Sequence, residues 1–142
     1  MGCNRANGER KGGGLGVLVK GQEWEREQED CREHMWVKGN IGGLDTILGF
    51  VYLKTGSDAG EENAEHLTCI SGDVREIGTN KEIIILGDMN AHFEDFDGHT
   101  DTTGRMLEEF CEALDLVLIN AQVKCDGKIT YGKERTSLDI KQ

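Results

Sequence analysis

The spacing of apolar residues changes along the chain, and each change predicts an element. Leu15 to Lys20 follows the Gly12-Gly13-Gly14 breaker and predicts a strand. Cys31 to Lys38 predicts a second, with Met35 and Val37 on one face. After a glycine-rich turn at 39–43, Thr46 to Leu53 is apolar and β-branched and predicts a buried third strand. The three suit an antiparallel meander. The period then becomes helical. Ala64, Leu67, Ile70, Val74 and Ile77 recur at three- and four-residue steps, one face of an amphipathic helix. Asp58 followed by Glu61 predicts a capping box at its start, and Gly78 predicts its end. Ile83-Ile84-Ile85-Leu86 is a continuous apolar run before Gly87, the pattern of a strand buried on both faces. A second helix is predicted over 104–114, with Met106, Leu107, Phe110, Cys111 and Leu114 inward. Leu116–Ile119 and Lys128–Tyr131 read as further strands, and Thr136–Ile140 as the beginning of one more.

The order β-β-β-α-β-α-β-β-β implies an α/β sheet system with helices covering its outer faces. Residues 1–13 are polar and glycine-rich and predict a flexible tail, which leaves 14–142 as a single domain. Residues 22–30 are strongly acidic and read as solvated. The net charge of −11 is unevenly spread: residues 1–40 are balanced, and the whole excess lies in 41–142. A protein that grips DNA by neutralising phosphates is normally basic, so action on a polyanion would need metal ions or local cations here. An acidic domain with no such task fits the charge equally simply. No run of about 18 apolar residues exists, and no apolar stretch follows the N-terminus, which predicts neither a membrane span nor a secretory signal. Met1-Gly2-Cys3 is followed by Ala6, where a myristoylation signal has Ser or Thr. The five cysteines, Cys3, Cys31, Cys69, Cys111 and Cys125, form no C-x-x-C pair. A zinc site or disulfide framework is not expected, and an intracellular setting is.

Candidate chemistry gathers after the apolar run, in Gly87-Asp88-Met89-Asn90-Ala91-His92. Ligand sites collect at the carboxyl ends of strands. In extended chain, alternate residues share a face, so Asp88, Asn90 and His92 are expected to point together. A carboxylate, an amide and an imidazole there can orient water and hold a phosphate or a metal. The same residues also suit an ordinary Asx turn. Tyr52, near the end of the third strand, is either a packing residue or a hydrogen-bond donor to a phosphate oxygen. In Ser137-Leu138-Asp139-Ile140, alternation turns Asp139 away from its aliphatic neighbours, as a solvated carboxylate or a site residue. His99 and the acidic stretch Glu94–Asp101 suit a cation or plain solvation. His34 and His66 show no partner in the sequence.

Taken in order, these segments resemble the endonuclease/exonuclease/phosphatase family, and within it the endonuclease domain of LINE-type retrotransposons. Ile83-Ile84-Ile85-Leu86-Gly87-Asp88-Met89-Asn90-Ala91-His92 is similar to the family's apolar strand followed by G-D-[FM]-N-x-H. Phe50-Val51-Tyr52 resembles its V-Y strand. Asp101–Leu107 resembles the segment after the Asp-Asn motif. Thr130-Tyr131 followed by Ser137-Leu138-Asp139-Ile140 resembles T-[WY]…S-x-I-D. The resemblance spans roughly 12–140 and implies a two-sheet sandwich flanked by helices. It implies a Mg²⁺- or Mn²⁺-dependent phosphodiester hydrolase acting on DNA. Asp88 would orient or deprotonate the attacking water and serve as a metal ligand. Asn90 would steady phosphate and water. Tyr52 would hydrogen-bond the phosphate, with His92 and Ser137 as further substrate contacts. Asp139 would orient a histidine. It also implies a reverse transcriptase region in a longer parent polyprotein, and a nuclear location if the substrate is chromosomal DNA.

The departures shape the expectation. No Asn and metal-binding Glu match the family's first strand, no Ser-Asp-His motif follows Asp139, and the turn after Tyr52 carries no proline. The chain therefore resembles the middle of a family domain, incomplete at both ends, and the expected catalysis is weak or absent. A non-catalytic interaction module of the same fold and a phosphatase acting on small phosphoesters remain the alternatives.

Overall fold

A computed structural model describes residues 2–4, 14–18, 20, 24–26, 33–56, 58–94 and 98–121. In chain order the elements are β1 (Gly2–Asn4), β2 (Gly14–Gly16), β3 (Glu25–Arg26), β4 (His34–Ile41), β5 (Leu44–Tyr52), α1 (Gly60–Ile77), β6 (Glu82–Asp88) and α2 (Thr102–Ala113). A single 3₁₀ turn, Ile119–Ala121, follows. The fold is α/β: a mixed sheet in the order β3-β4-β5-β6 with two helices, and a separate β1-β2 pair.

The hairpin β4-β5 is the centre of the sheet. Its turn is tighter than the glycine content of 39–43 suggests. Ile41 pairs with Leu44, and only Gly42 and Gly43 form the loop. Their φ values of 61° and 92° match the two-residue turn that follows the natural twist of a hairpin and that glycine adopts without strain. Asn40 closes it by accepting the Gly43 amide at 2.8 Å. β6 then joins β5 in parallel, from Thr46↔Glu82 to Tyr52↔Asp88. Helix α1 supplies the long crossover that parallel pairing requires.

Alternation sorts the sheet into two faces. Trp36, Ile47, Val51, Leu53, Ile83 and Ile85 meet Leu67, Ile70, Val74 and Ile77 of α1 and Leu107 and Phe110 of α2 in one core. Met35 and Val37 lie on the opposite face and are also buried; Leu48, Phe50, Ile84 and Leu86 share that face.

Several expectations change. The third partner of the hairpin is β3, from the acidic stretch, and not Leu15–Lys20. Among the described residues, the strand here is Gly14–Gly16, and it pairs with Gly2–Asn4, which the sequence reads as tail. The α1 N-cap is Ala59, with no side-chain cap, so Asp58 and Glu61 form no capping box. Ala64 is exposed, and its neighbour Asn63 takes the inward position. β6 is not buried on both faces: Ile83, Ile84 and Ile85 are half-buried and Leu86 is 46% exposed. It pairs on one side only among the described residues, so its second edge leaves apolar surface uncovered. Leu116–Ile119 is not a strand. Leu116 and Leu118 pack on the core while Val117 and Ile119 face outward. The strands expected at Lys128–Tyr131 and Thr136–Ile140 lie outside the described residues. No helix among the described residues is long and apolar enough to cross a membrane.

Candidate functional site

The site begins with a glycine. At Gly87 a Cβ would lie 1.8 Å from the carbonyl oxygen of Val51. Only a residue without a side chain lets β6 approach β5 here, and that approach sets Tyr52 beside Asp88. In parallel strands, registered positions share a face. Tyr52 and Asp88 are therefore neighbours at the carboxyl ends of β5 and β6, on the face opposite the helices. Tyr52 is half-buried and Asp88 is exposed.

The chain does not stay extended past Asp88. Asn90 has φ +42°, in the left-handed region that Asn tolerates better than most residues. That turn breaks the alternation on which a common direction for Asp88, Asn90 and His92 depended. The Asn90 amide donates to Asp88 Oδ1 at 3.2 Å, which is the Asx turn. Its side-chain Nδ2 donates across the mouth to the Leu53 carbonyl at 2.6 Å. Leu53 N in turn donates to the Asp88 carbonyl at 2.9 Å. Both sides of the Leu53 peptide are thus held by the Asp88–Asn90 turn, and the end of β5 is fixed against the end of β6.

The next residue is held as firmly. Asn63 of α1, fully buried, accepts Lys54 N at 2.9 Å and donates to Lys54 O at 3.0 Å. Its Nδ2 also lies 3.4 Å from Thr103 Oγ1 of α2. One amide therefore joins the β5 exit to both helices. Lys54 Nζ pairs with Glu62 and reaches Glu33 at 3.8 Å.

His92 lies on the loop between β6 and α2. Its ring stacks on His99 at 4.9 Å between centroids and 25° between planes. Its backbone is gripped by Asp101: His92 N donates to Asp101 Oδ1 at 3.2 Å, and Asp101 N donates to His92 O at 3.2 Å. The same Oδ1 accepts Gly104 N at 2.7 Å and caps α2. Phe93, buried in the core, anchors the loop beneath.

Tyr52, Asp88 and Asn90 are thus brought to one strand mouth, and His92 follows on the loop. Ser137 and Asp139 lie outside the described residues. A groove of about 450 Å³ runs further along the same face, between Val17, Trp24, Val37, Leu48 and Phe50, and none of the three residues lines it. Asp88 supplies a carboxylate, but no group of three or more His, Cys, Asp or Glu among the described residues could hold a metal ion. The described side chains do not by themselves build a metal cage. Asn63 and the capping role of Asp101 escaped the sequence reading. Asp101 had a signal, since Asp directly before a helical run is a cap pattern. Asn63 had none, because nothing local tells a polar residue beside an apolar stripe to face inward.

A family model described as endonuclease-reverse transcriptase matches residues 48–140, about two thirds of the chain. No curated protein and no solved structure gives a significant match.

Proposed function

This chain belongs to the endonuclease–reverse transcriptase family, of endonuclease/exonuclease/phosphatase type, and from that premise we propose that it is a phosphodiester hydrolase whose substrate is DNA. The observation that carries the reading is the pairing of Tyr52 with Asp88 at adjoining strand ends, closed by the Asn90 side chain on Leu53 O. An exposed carboxylate beside a phenol suits in-line attack on a phosphate. Asp88 accepts a hydrogen bond from water and directs its lone pair, and the Tyr52 hydroxyl donates to a phosphate oxygen. The Asn90 amide is committed in part to Leu53, so its first task is to hold the mouth in shape. His92, Ser137 and Asp139 are proposed contacts by resemblance alone.

A divalent ion of the Mg²⁺ kind keeps several waters and takes one or two carboxylates together with substrate phosphate. Asp88 could be such a ligand only in partnership with the substrate or with residues outside those described. When bound, the ion would offset negative charge on the phosphate. It would also lessen repulsion between DNA and a chain of net charge −11. We further place a second sheet over the face that carries Phe50, Ile84 and the exposed Leu86, which would complete a sandwich. The family's description supports a reverse transcriptase region in the same parent polypeptide.

A non-catalytic module is the second reading. Its support is the sequence, which matches neither the family's first-strand Asn nor its metal-binding Glu. Plasmid nicking decides between them. Catalysis predicts nicking in Mg²⁺ that EDTA stops and that Asp88→Ala lowers by a factor of about 10² or more while the circular dichroism spectrum is kept. No nicking at any metal concentration would leave the module. Phosphate release from small esters without nicking would instead indicate a phosphatase.

A further inference from the structure

A second polar cluster lies where β4 begins, against the middle of α1. His34, 2% exposed, sits between two residues of that helix. Its Nε2 is 2.7 Å from Asp73 Oδ2, and its Nδ1 is 2.7 Å from His66 Nε2. Trp36 Nε1 also donates to Asp73 Oδ2, at 2.8 Å. With both rings neutral, these contacts favour one arrangement of the protons. A carboxylate oxygen accepts, so His34 carries its proton on Nε2. Neutral His34 then has a bare Nδ1, which must accept from His66 Nε2–H. The remaining lone pair of His66 falls on Nδ1. That atom is buried, has no hydrogen-bond partner among the described residues, and lies 3.7 Å from Glu33 Oε2.

We propose that Asp73, His34 and His66 form a proton-operated latch between β4 and α1, with His66 Nδ1 as the atom that takes the proton and Glu33 as the carboxylate it then engages. The groups that face His66 are Glu33 and His34 from the β4 side, Lys54 from the β5 exit, and Glu62 and Asp73 from its own helix. Neutral His66 leaves Glu33 to Lys54, and the seam stays closed. Protonated His66 becomes a buried cation beside Lys54 and competes with it for Glu33. Burial first, then positive charge on His34 and on Lys54, push the His66 pKa down from 6.5 to about 4, so the latch is closed at neutral pH and is loosened in acid, where cations crowd the seam. The seam adjoins the candidate site: Tyr52 N donates to the Glu33 carbonyl at 2.9 Å. Loosening therefore reaches the strand end that bears Tyr52, whether or not this chain cleaves DNA.

The test uses the full chain. Imidazole ¹⁵N–¹H correlation spectra, taken from neutral pH into acid, report tautomers and protonation directly. Trp36 emission, read in a Trp24→Phe background, reports the seam. Both histidines should show Nε2–H tautomers at neutral pH. His66 should take its proton near pH 4, and Trp36 emission should change in the same step. His66→Gln can still donate to His34 Nδ1 but cannot titrate, so the step should vanish while the neutral spectrum persists. An Nδ1–H tautomer of His66, a His66 titration near 6.5, or an unchanged acid step in His66→Gln would each overturn the proposal. Should the Gln variant lose its fold, the tautomers of the unsubstituted chain still decide.

Discussion

Single residues at the strand mouth do separable jobs, and substitution should separate them. Gly87 permits the approach of two backbones, so Gly87→Ala places a methyl group against the Val51 carbonyl. Strand backbone cannot swing aside as a side chain can. We expect a loss of about 3 kcal/mol in urea-induced unfolding, the upper end for overpacking. Asn90 combines a left-handed backbone with a cross-strand bond. Asn90→Gly removes the bond and keeps the conformation, and should cost about 1 kcal/mol. Asn90→Ala adds strain at positive φ and should cost roughly 1 kcal/mol more. Equal stability of the two variants would show that the backbone at this turn is unstrained.

At the scale of elements, two polar side chains act as joints. Asp101 caps α2 and holds the His92 amide with one oxygen. Asp101→Ala should lower stability by about 1–2 kcal/mol and broaden the amide resonances of Ala91–Phe93. Asn63 carries more, because the groups it satisfies are buried between two helices and a strand exit. Asn63→Leu has similar volume but abandons Lys54 N and O, and should cost about 2–4 kcal/mol for two stranded backbone groups. For scale, Ile70→Ala removes a 1% exposed core side chain and should cost about 2–5 kcal/mol. An Asn63→Leu loss under 0.5 kcal/mol would mean that water replaces the amide.

The molecule as a whole carries a pH dependence that His66 dominates among the shifts resolved in acid. Its proton binds near 6.5 in the unfolded chain and near 4 in the folded one. Between those values the unfolded state holds more protons, so stability is full above 6.5 and falls as pH drops toward 4. The loss is on the order of 3 kcal/mol and levels off below the folded value. Thermal unfolding across that window, compared between the unsubstituted chain and His66→Gln, isolates it: the variant should show a flatter profile. The net charge of −11 predicts a second global property. Any DNA affinity should rest on divalent ions, and chelation should weaken binding as well as nicking.

The sequence by itself determined the elements whose signals are local. The period of Leu67, Ile70, Val74 and Ile77 placed α1, the run Ile83–Leu86 placed β6, and the order of Tyr52, Gly87, Asp88 and Asn90 placed the candidate site at strand ends. Such patterns follow from the geometry of one element against one core. Tertiary structure decided what depends on residues far apart in the chain. It turned Asn90 back to Leu53, drew Asn63 inward in place of Ala64, and set His34, His66 and Asp73 in a row. No spacing rule foresees these contacts. Hydrogen bonds between buried polar groups are chosen by whichever partners the fold brings within 3 Å, and the partners here lie 32 to 39 residues apart for the histidine chain and 37 for Asn90.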